Sequence, residues 1–330
     1  MRDDVRRCRT MGDRRTALLS ACVAVVALGT ACSSERDAAD LLPDGVEAIA
    51  FLGDTLWQPT FDSVSRARLE TNLAWAKAAL DATPLNADSM IWYGRRLAYL
   101  GRYRDAIEAF TAGTASHPDD ARFFRHRGHR YITTRKLDLA IEDFSRAAQL
   151  VAGQPDVVEP DGAPNARGIP ISTLKSNIWY HLGLAHYLRG DFERALSSYR
   201  ECMKVSDNPD KLVSTSHWLY MTLRRLGRED EAAEVLMPID AEMDIIENQA
   251  YHQLLLMYKG ELDPEALLEI PEGSDTPSNA AVAYGVGAWY LYNGDEDRAR
   301  GVFNRMLQAS GWAGFGYIAA EADMARLKGQ

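Results

Sequence analysis

The residues that could do chemistry are few. The 330-residue chain holds seven histidines and four cysteines. His126 and His129 fall on one face of a helical stretch, His181 and His186 lie five apart, and His217 and His252 sit in separate apolar helical runs. Imidazoles grouped in this way suit metal ligation or general acid–base work, but a metal site wants three convergent ligands with supporting partners. The spacing places no carboxylate beside them. There is no GxSxG, HExxH, paired CxxC or phosphate loop. No cofactor or metal is expected, and the histidines read as groove-lining or partly buried groups. Cys8 and Cys22 fall before or within the uncharged run that leads to Cys32, so Cys202 is the one thiol left in the body of the chain. Seven residues after Ala195, it reads as a small core residue rather than a nucleophile.

The elements that must position these groups repeat. Gly94, Ala106, Phe110 and Pro118 are followed 34 residues later by Gly128, Ala140 and Phe144. Self-similarity at that interval marks stacked helix–turn–helix units, each burying its apolar face against its neighbours. In the first unit, Met90, Tyr93, Gly94 and Leu97 form one helical face, Gly101 makes the turn, and Pro118 ends the second helix. Gly94 and Ala106, both small, allow close approach of the paired helices, and Phe110 is expected to fill the gap to the next hairpin. Gly183, Gly190, Ala195 and Tyr199 give the best later copy. A fourth centres on Gly227 and Ala232, with Tyr220 in the glycine slot. The fifth is degenerate, with Leu254 in that slot and Pro264 and Pro271 shortening the second helix. The sixth has Gly287, Gly294, Ala299 and Phe303.

These units resemble the tetratricopeptide repeat. The resemblance implies an all-α, right-handed superhelical solenoid of antiparallel helix pairs: about six hairpins over 62–328, with a leading helix from Arg66 to Leu80 and a capping helix from Trp312 to Leu327. Glu321, Asp323, Arg326 and Lys328 are expected on the capping helix's solvent side. In this family the first helices line a concave surface, which assigns Trp92, Arg95, Arg122, Arg125, His126, His129, Tyr180, His181, His217, Trp218 and Tyr284 to a peptide-binding groove. Arginine matches carboxylates in a bidentate fork and aromatics anchor at low entropic cost, so the expected partner is another protein or an acidic or C-terminal peptide segment. The alternative is an envelope enzyme using the His/Arg-rich groove.

The N-terminus carries an address. Arg14 and Arg15 precede an uncharged run from Thr16 to Ala31, as in a secretory signal peptide. Leu28, Gly29, Thr30 and Ala31 before Cys32 resemble a bacterial lipobox, which would make Cys32 the acylated N-terminus of a lipoprotein, held at the cell envelope and, in a Gram-negative cell, at the outer membrane facing the periplasm. Residues 1–31 hold six Arg and three Asp, so a net charge of −10 becomes −10 − 3 = −13 for the remainder. That charge disfavours nucleic acid and leaves membrane attachment to the acyl chains. Residues 32–61 read as a tether whose apolar stretch, Val46 to Leu56, docks on the first helices.

One segment breaks the period. From Ala140 to Ala195 is 55 residues, or 34 plus 21, and the surplus falls at 151–171. Its prolines and glycines exclude a continuous helix, while Val157, Val158, Ile169 and Ile171 call for burial. Long loops in compact arrays carry function, and this one is expected to fold over the groove edge near Trp179 to His181.

Overall fold

A computed structural model describes residues 42–269 and 276–329. The signal, lipobox and early tether readings, Cys32 included, lie outside that range. The described residues begin with an antiparallel hairpin, β1 (Val46–Ile49) and β2 (Thr55–Trp57). A leading helix follows, α1 (Ser63–Ala82). Six helix pairs come next: α2 (Ala87–Tyr99) with α3 (Tyr103–Ser116), α4 (Ala121–Thr133) with α5 (Leu137–Leu150), and α6 (Leu174–Arg189) with α7 (Phe192–Met203). The remaining three are α8 (Pro209–Arg225) with α9 (Glu229–Leu236), α10 (Gln249–Tyr258) with α11 (Pro264–Leu267), and α12 (Pro277–Tyr292) with α13 (Glu296–Met306). The last helix is α14 (Phe315–Lys328). This is the all-α solenoid that the period implies. The fifth pair is the degenerate one, its second helix reduced to a single turn after Pro264.

Side chains start these helices where the sequence changes from turn to apolar stripe. Asn86, Asp120 and Asn208 accept backbone N–H bonds at the starts of α2, α4 and α8, and Thr173 with Ser176 forms a capping box on α6. The hairpin interior is set by one close approach. A Cβ on Gly94 would stand 2.5 Å from the Phe110 ring, and one on Gly183 would stand 2.7 Å from Tyr199. Gly128 with Phe144 and Gly287 with Phe303 repeat the arrangement. The aromatic thus lies back on the glycine of its own hairpin, where the sequence suggested it filled only the gap to the next. Its other face does reach onward, since Phe110 stacks on His126.

The turn between paired helices requires a left-handed residue. Gly101, Gly190, Gly227, Gly260 and Gly294 supply it, with φ from 68° to 88°. In the second pair the residue 34 after Gly101 is Arg135, at φ 63°, a conformation a non-glycine residue adopts at a cost of order 1 kcal/mol. Arg135 is held there by a buried ion pair with Glu321 of α14, at 2.8 Å.

Helix α14 does not present its charges to solvent. It packs across the first helices of the array: Phe315 meets His129 of α4 and His181 of α6, Asp323 binds Arg225 of α8 and Tyr284 of α12, and Arg326 donates to the Leu188 carbonyl at the end of α6. Glu321 and Asp323 are each 1% exposed. The expectation of a solvent-facing polar stripe fails because both carboxylates find arginines on the array. Only Lys328 of that set is exposed. Small residues make the approach possible: a Cβ on Gly316 would stand 2.3 Å from the Ala280 carbonyl oxygen.

The hairpin β1–β2 closes the same region. Ala48, Ala50 and Leu56 pack with Met90, Leu97, Tyr103, Phe110 and Trp312, and the Trp312 indole donates to the Trp57 carbonyl. Among the described residues no helix is long and apolar enough to cross a membrane.

Candidate functional site

A cavity of about 390 Å³ opens between α2, α4, α6 and α8, with the insertion over one side and the start of α14 at the back. Six of the sequence-derived residues line it: Arg95, Arg125, His126, His129, Tyr180 and His181. The other five lie elsewhere. Trp218 and Tyr284 are 1% and 0% exposed, Trp218 enclosed by Tyr187, His217 and Tyr284, and Tyr284 reached by Asp323 of α14. The Trp218 indole donates to Tyr180 Oη at 2.7 Å, and Tyr284 Oη donates to Asp323 while sharing a hydrogen bond with Tyr187 Oη. His217 is enclosed between Tyr251 and Tyr258, and burial pushes its imidazole down to about 3. Arg122 is committed to Asp120 and Asp88 at the start of α4, each at 2.6 Å. Trp92 lies beneath the Arg95 and Arg96 guanidiniums, 4.3 and 4.9 Å from their carbons. The concave face therefore offers a pocket rather than a continuous groove, because α14 already covers its C-terminal half.

The insertion lies across the pocket as a strap. Its neck is pinned where Val158 pairs with Thr173, and Leu174 N donates to the Val157 carbonyl. Glu159 turns inward and is 9% exposed, its Oε2 3.0 Å from Arg125 Nε and accepting from Asn177 Nδ2 at 3.1 Å. Arg95 donates to the Pro160 carbonyl at 2.8 Å and Arg96 to that of Gly162 at 3.2 Å. The far end is tied by Arg167 to Asp244 and by Asn165 to Glu247. Val157, Val158 and Ile169, for which burial was expected, are 52%, 59% and 45% exposed. Polar contacts and backbone, rather than an apolar face, seat this loop.

Charge pairing in the pocket is incomplete, although Asp161 and Glu247 line it beside Glu159. Three guanidiniums, Arg95, Arg125 and Arg130, converge on it, and Glu159 is the one described carboxylate within ion-pair reach of any of them. Arg130 lies 5.5 Å over the Tyr103 ring. Burial, with Arg125 and Arg95 nearby, pushes it down to about 10. Burial also holds His126 and His129 well below the usual imidazole range and His181 at about 3, with the Arg125 and Arg130 charges acting in the same sense. The rings pack on one another: His129 lies tilted against His181 at 4.6 Å, and Phe144 stacks on His181 at 5.6 Å. His181 Nδ1 bonds the Asn177 carbonyl at 2.6 Å, and the His126 Nε2 to Glu159 distance is 3.8 Å. Among the described residues no histidine has a carboxylate at hydrogen-bond distance, and no group of three potential ligands could hold a metal ion. Cys202 also borders the cavity, 1% exposed, its thiol pushed up to about 11 by burial and bonded to Thr215.

Sequence reasoning missed Arg130, Glu159 and Phe315. Arg130 follows His126 by four, so it shares that helical stripe and was within reach of the spacing argument. Phe315 had no local signal, because its position depends on α14 folding back.

A tetratricopeptide repeat profile matches residues 93–155 and a second matches 176–209. No curated protein matches the chain. Among solved structures it is similar to a tetratricopeptide repeat protein from Parabacteroides merdae, at 15% identity and a TM-score of 0.48, over 79% of this chain and 95% of that one. It is similar to YrrB, described as a TPR protein with an unusual peptide-binding site, at 14% identity and a TM-score of 0.40, over 76% and 97%. A third is MamA, at 15% identity and 0.41, over 62% and 99%. With two matched segments inside helix pairs that share one glycine–aromatic register, the chain carries tetratricopeptide repeats.

Proposed function

We propose that this protein binds an acidic segment of another protein, and that the pocket between α2, α4, α6 and α8 is where it does so. The carrying observation is the shortage of paired anions: Glu159, Asp161 and Glu247 line the pocket, yet of Arg95, Arg125 and Arg130 only Arg125 has a described carboxylate at ion-pair distance, in a chain whose net charge is −10. A partly buried guanidinium without an anion is costly to keep, and a ligand carboxylate supplies the missing partner in a site where water screens it poorly. Neutral histidines and the Tyr180 and Phe315 rings give such a segment flat apolar walls. Binding is preferred over catalysis because the imidazoles lack an orienting carboxylate and the Cys202 thiol stays protonated. An array of capped peptides of graded charge tests the reading: acidic peptides should be retained and basic ones not, and retention independent of charge would refute it.

The setting belongs to the same proposal. The Thr16–Ala31 run and the lipobox-like residues before Cys32 support export and acylation, which would hold the binding site at the cell envelope. Palmitate-analogue labelling is expected in the wild type and absent in Cys32→Ala. Labelling that persists in the variant would remove the anchor from the account.

A further inference from the structure

We propose that the strap is an internal ligand of the pocket: Glu159, Pro160 and Asp161 hold the place of the partner's acidic segment, and partner binding exchanges one carboxylate for another at Arg125. The inference rests on the reading of the pocket as an acidic-segment site and names both the ligand's form and its regulation.

Three features of the seat make the exchange feasible. The Arg125–Glu159 pair is close, at 3.0 Å, yet Arg125 Nε has no aligned hydrogen-bond acceptor, so the contact is an ion pair that another carboxylate can replace. Arg95 and Arg96 grip the strap through the Pro160 and Gly162 carbonyls. Main-chain carbonyls belong to every peptide, so an incoming extended segment reproduces these contacts with no demand on its sequence beyond the acidic residue. The residue before a proline is confined to extended conformations, which fixes the shape of the Glu159–Pro160 step and hence the shape the site accepts. The ligand class is therefore an extended segment with a carboxylate preceding two exposed carbonyls.

The strap is also built to leave. Val157, Val158 and Ile169 are about half exposed, so little apolar surface resists its departure. Its neck stays fixed through the Val158–Thr173 pairing, so it can swing out without releasing α5 or α6. A partner's apparent affinity is reduced by the fraction of molecules whose strap is seated, and a variant that cannot seat its carboxylate escapes that reduction.

The probe is a fluorescein-labelled, amidated peptide of the strap's own residues 157–163, titrated against wild type and Glu159→Gln. Binding to Glu159→Gln should be about tenfold tighter or more. In wild type, saturating probe should speed amide exchange across 161–171, beyond the fixed neck, while slowing it in α4. Equal or weaker binding to Glu159→Gln, or a strap that becomes more protected when the probe binds, would overturn the proposal. The exchange experiment uses wild type, so it decides the matter even if the variant misfolds. A capped triglutamate that binds folded Glu159→Gln where the strap peptide fails also overturns it, while leaving the acidic-segment pocket standing; if neither peptide binds, both readings fall.

Discussion

Acidification from pH 7 to about 5.5 is expected to cost this protein roughly 3 to 5 kcal/mol of folding stability. The cause is four enclosed imidazoles. His126 and His129 are held well below the ordinary value of 6.5, and His181 and His217 are held at about 3, in each case mainly by burial. Arg125 and Arg130 add repulsion at His126, His129 and His181. A group depressed in the folded state binds a proton more readily when unfolded, so its contribution is complete above 6.5 and is lost as pH falls toward the folded value. Each such histidine removes about 1.4 kcal/mol per pH unit over that range, against a typical total of about 5–15 kcal/mol. Glu47 and Asp143, raised by burial, act in the opposite sense nearer their own range and offset only part of this. Urea denaturation at a series of pH values measures the slope, and His217→Phe, which keeps a ring between Tyr251 and Tyr258, should reduce it by about one proton. Stability that stays flat from pH 7 to 5 would contradict the burial of these rings.

The second large effect concerns α14. Asp323→Ala is expected to destabilise by about 3–5 kcal/mol, lowering the thermal midpoint by roughly 10 °C. Asp323 accepts from Arg225, Arg326 and Tyr284 while 1% exposed, so its loss strands a buried guanidinium and a buried phenol together. In an array whose units depend on their neighbours, the damage should concentrate where α14 bridges α4, α6, α8 and α12. Amide exchange resolved by segment should show α14 opening first, with Phe315 drawn away from His129 and His181 and the pocket's back wall lost. Asp323→Asn keeps the shape and part of the hydrogen bonding, so it should cost less. A variant as stable as wild type would mean that α14 is held by its alanine face alone.

How much of this was legible in the chain follows from the range of each interaction. The helix pairs and their order are local: a small residue, a turn residue and an aromatic at fixed offsets read directly, and Gly94 with Phe110 or Gly183 with Tyr199 show why the offsets hold. Pocket residues on the first helices were half legible. Arg95, Arg125, His126, His129, Tyr180 and His181 share a face by helical spacing, but the same spacing includes Trp218 and Tyr284, and nothing local says that neighbouring rings enclose the first or that a helix near the end of the chain reaches the second. The solvent-side expectation for Glu321 and Asp323 failed for the same reason, since their arginine partners lie 186 and 98 residues away. Arg135 is a further case. It occupies a glycine turn slot at a backbone cost, and its reason is a carboxylate on α14. The strap's valines and Ile169 misled because apolar composition argues burial only where enough surface exists to bury them against.

The most direct test of the central claim is a titration of a capped acidic hexapeptide, and of its lysine counterpart, against wild type and Arg130→Gln. Arg130, like Arg95, has no described carboxylate at ion-pair distance, so removing its charge should leave the fold intact while taking away the ligand's counterion. Saturable, salt-weakened binding of the acidic peptide to wild type, reduced about tenfold or more in Arg130→Gln, with no binding of the lysine peptide, is the predicted result. Binding that ignores both the peptide's charge and the loss of Arg130 would contradict the account.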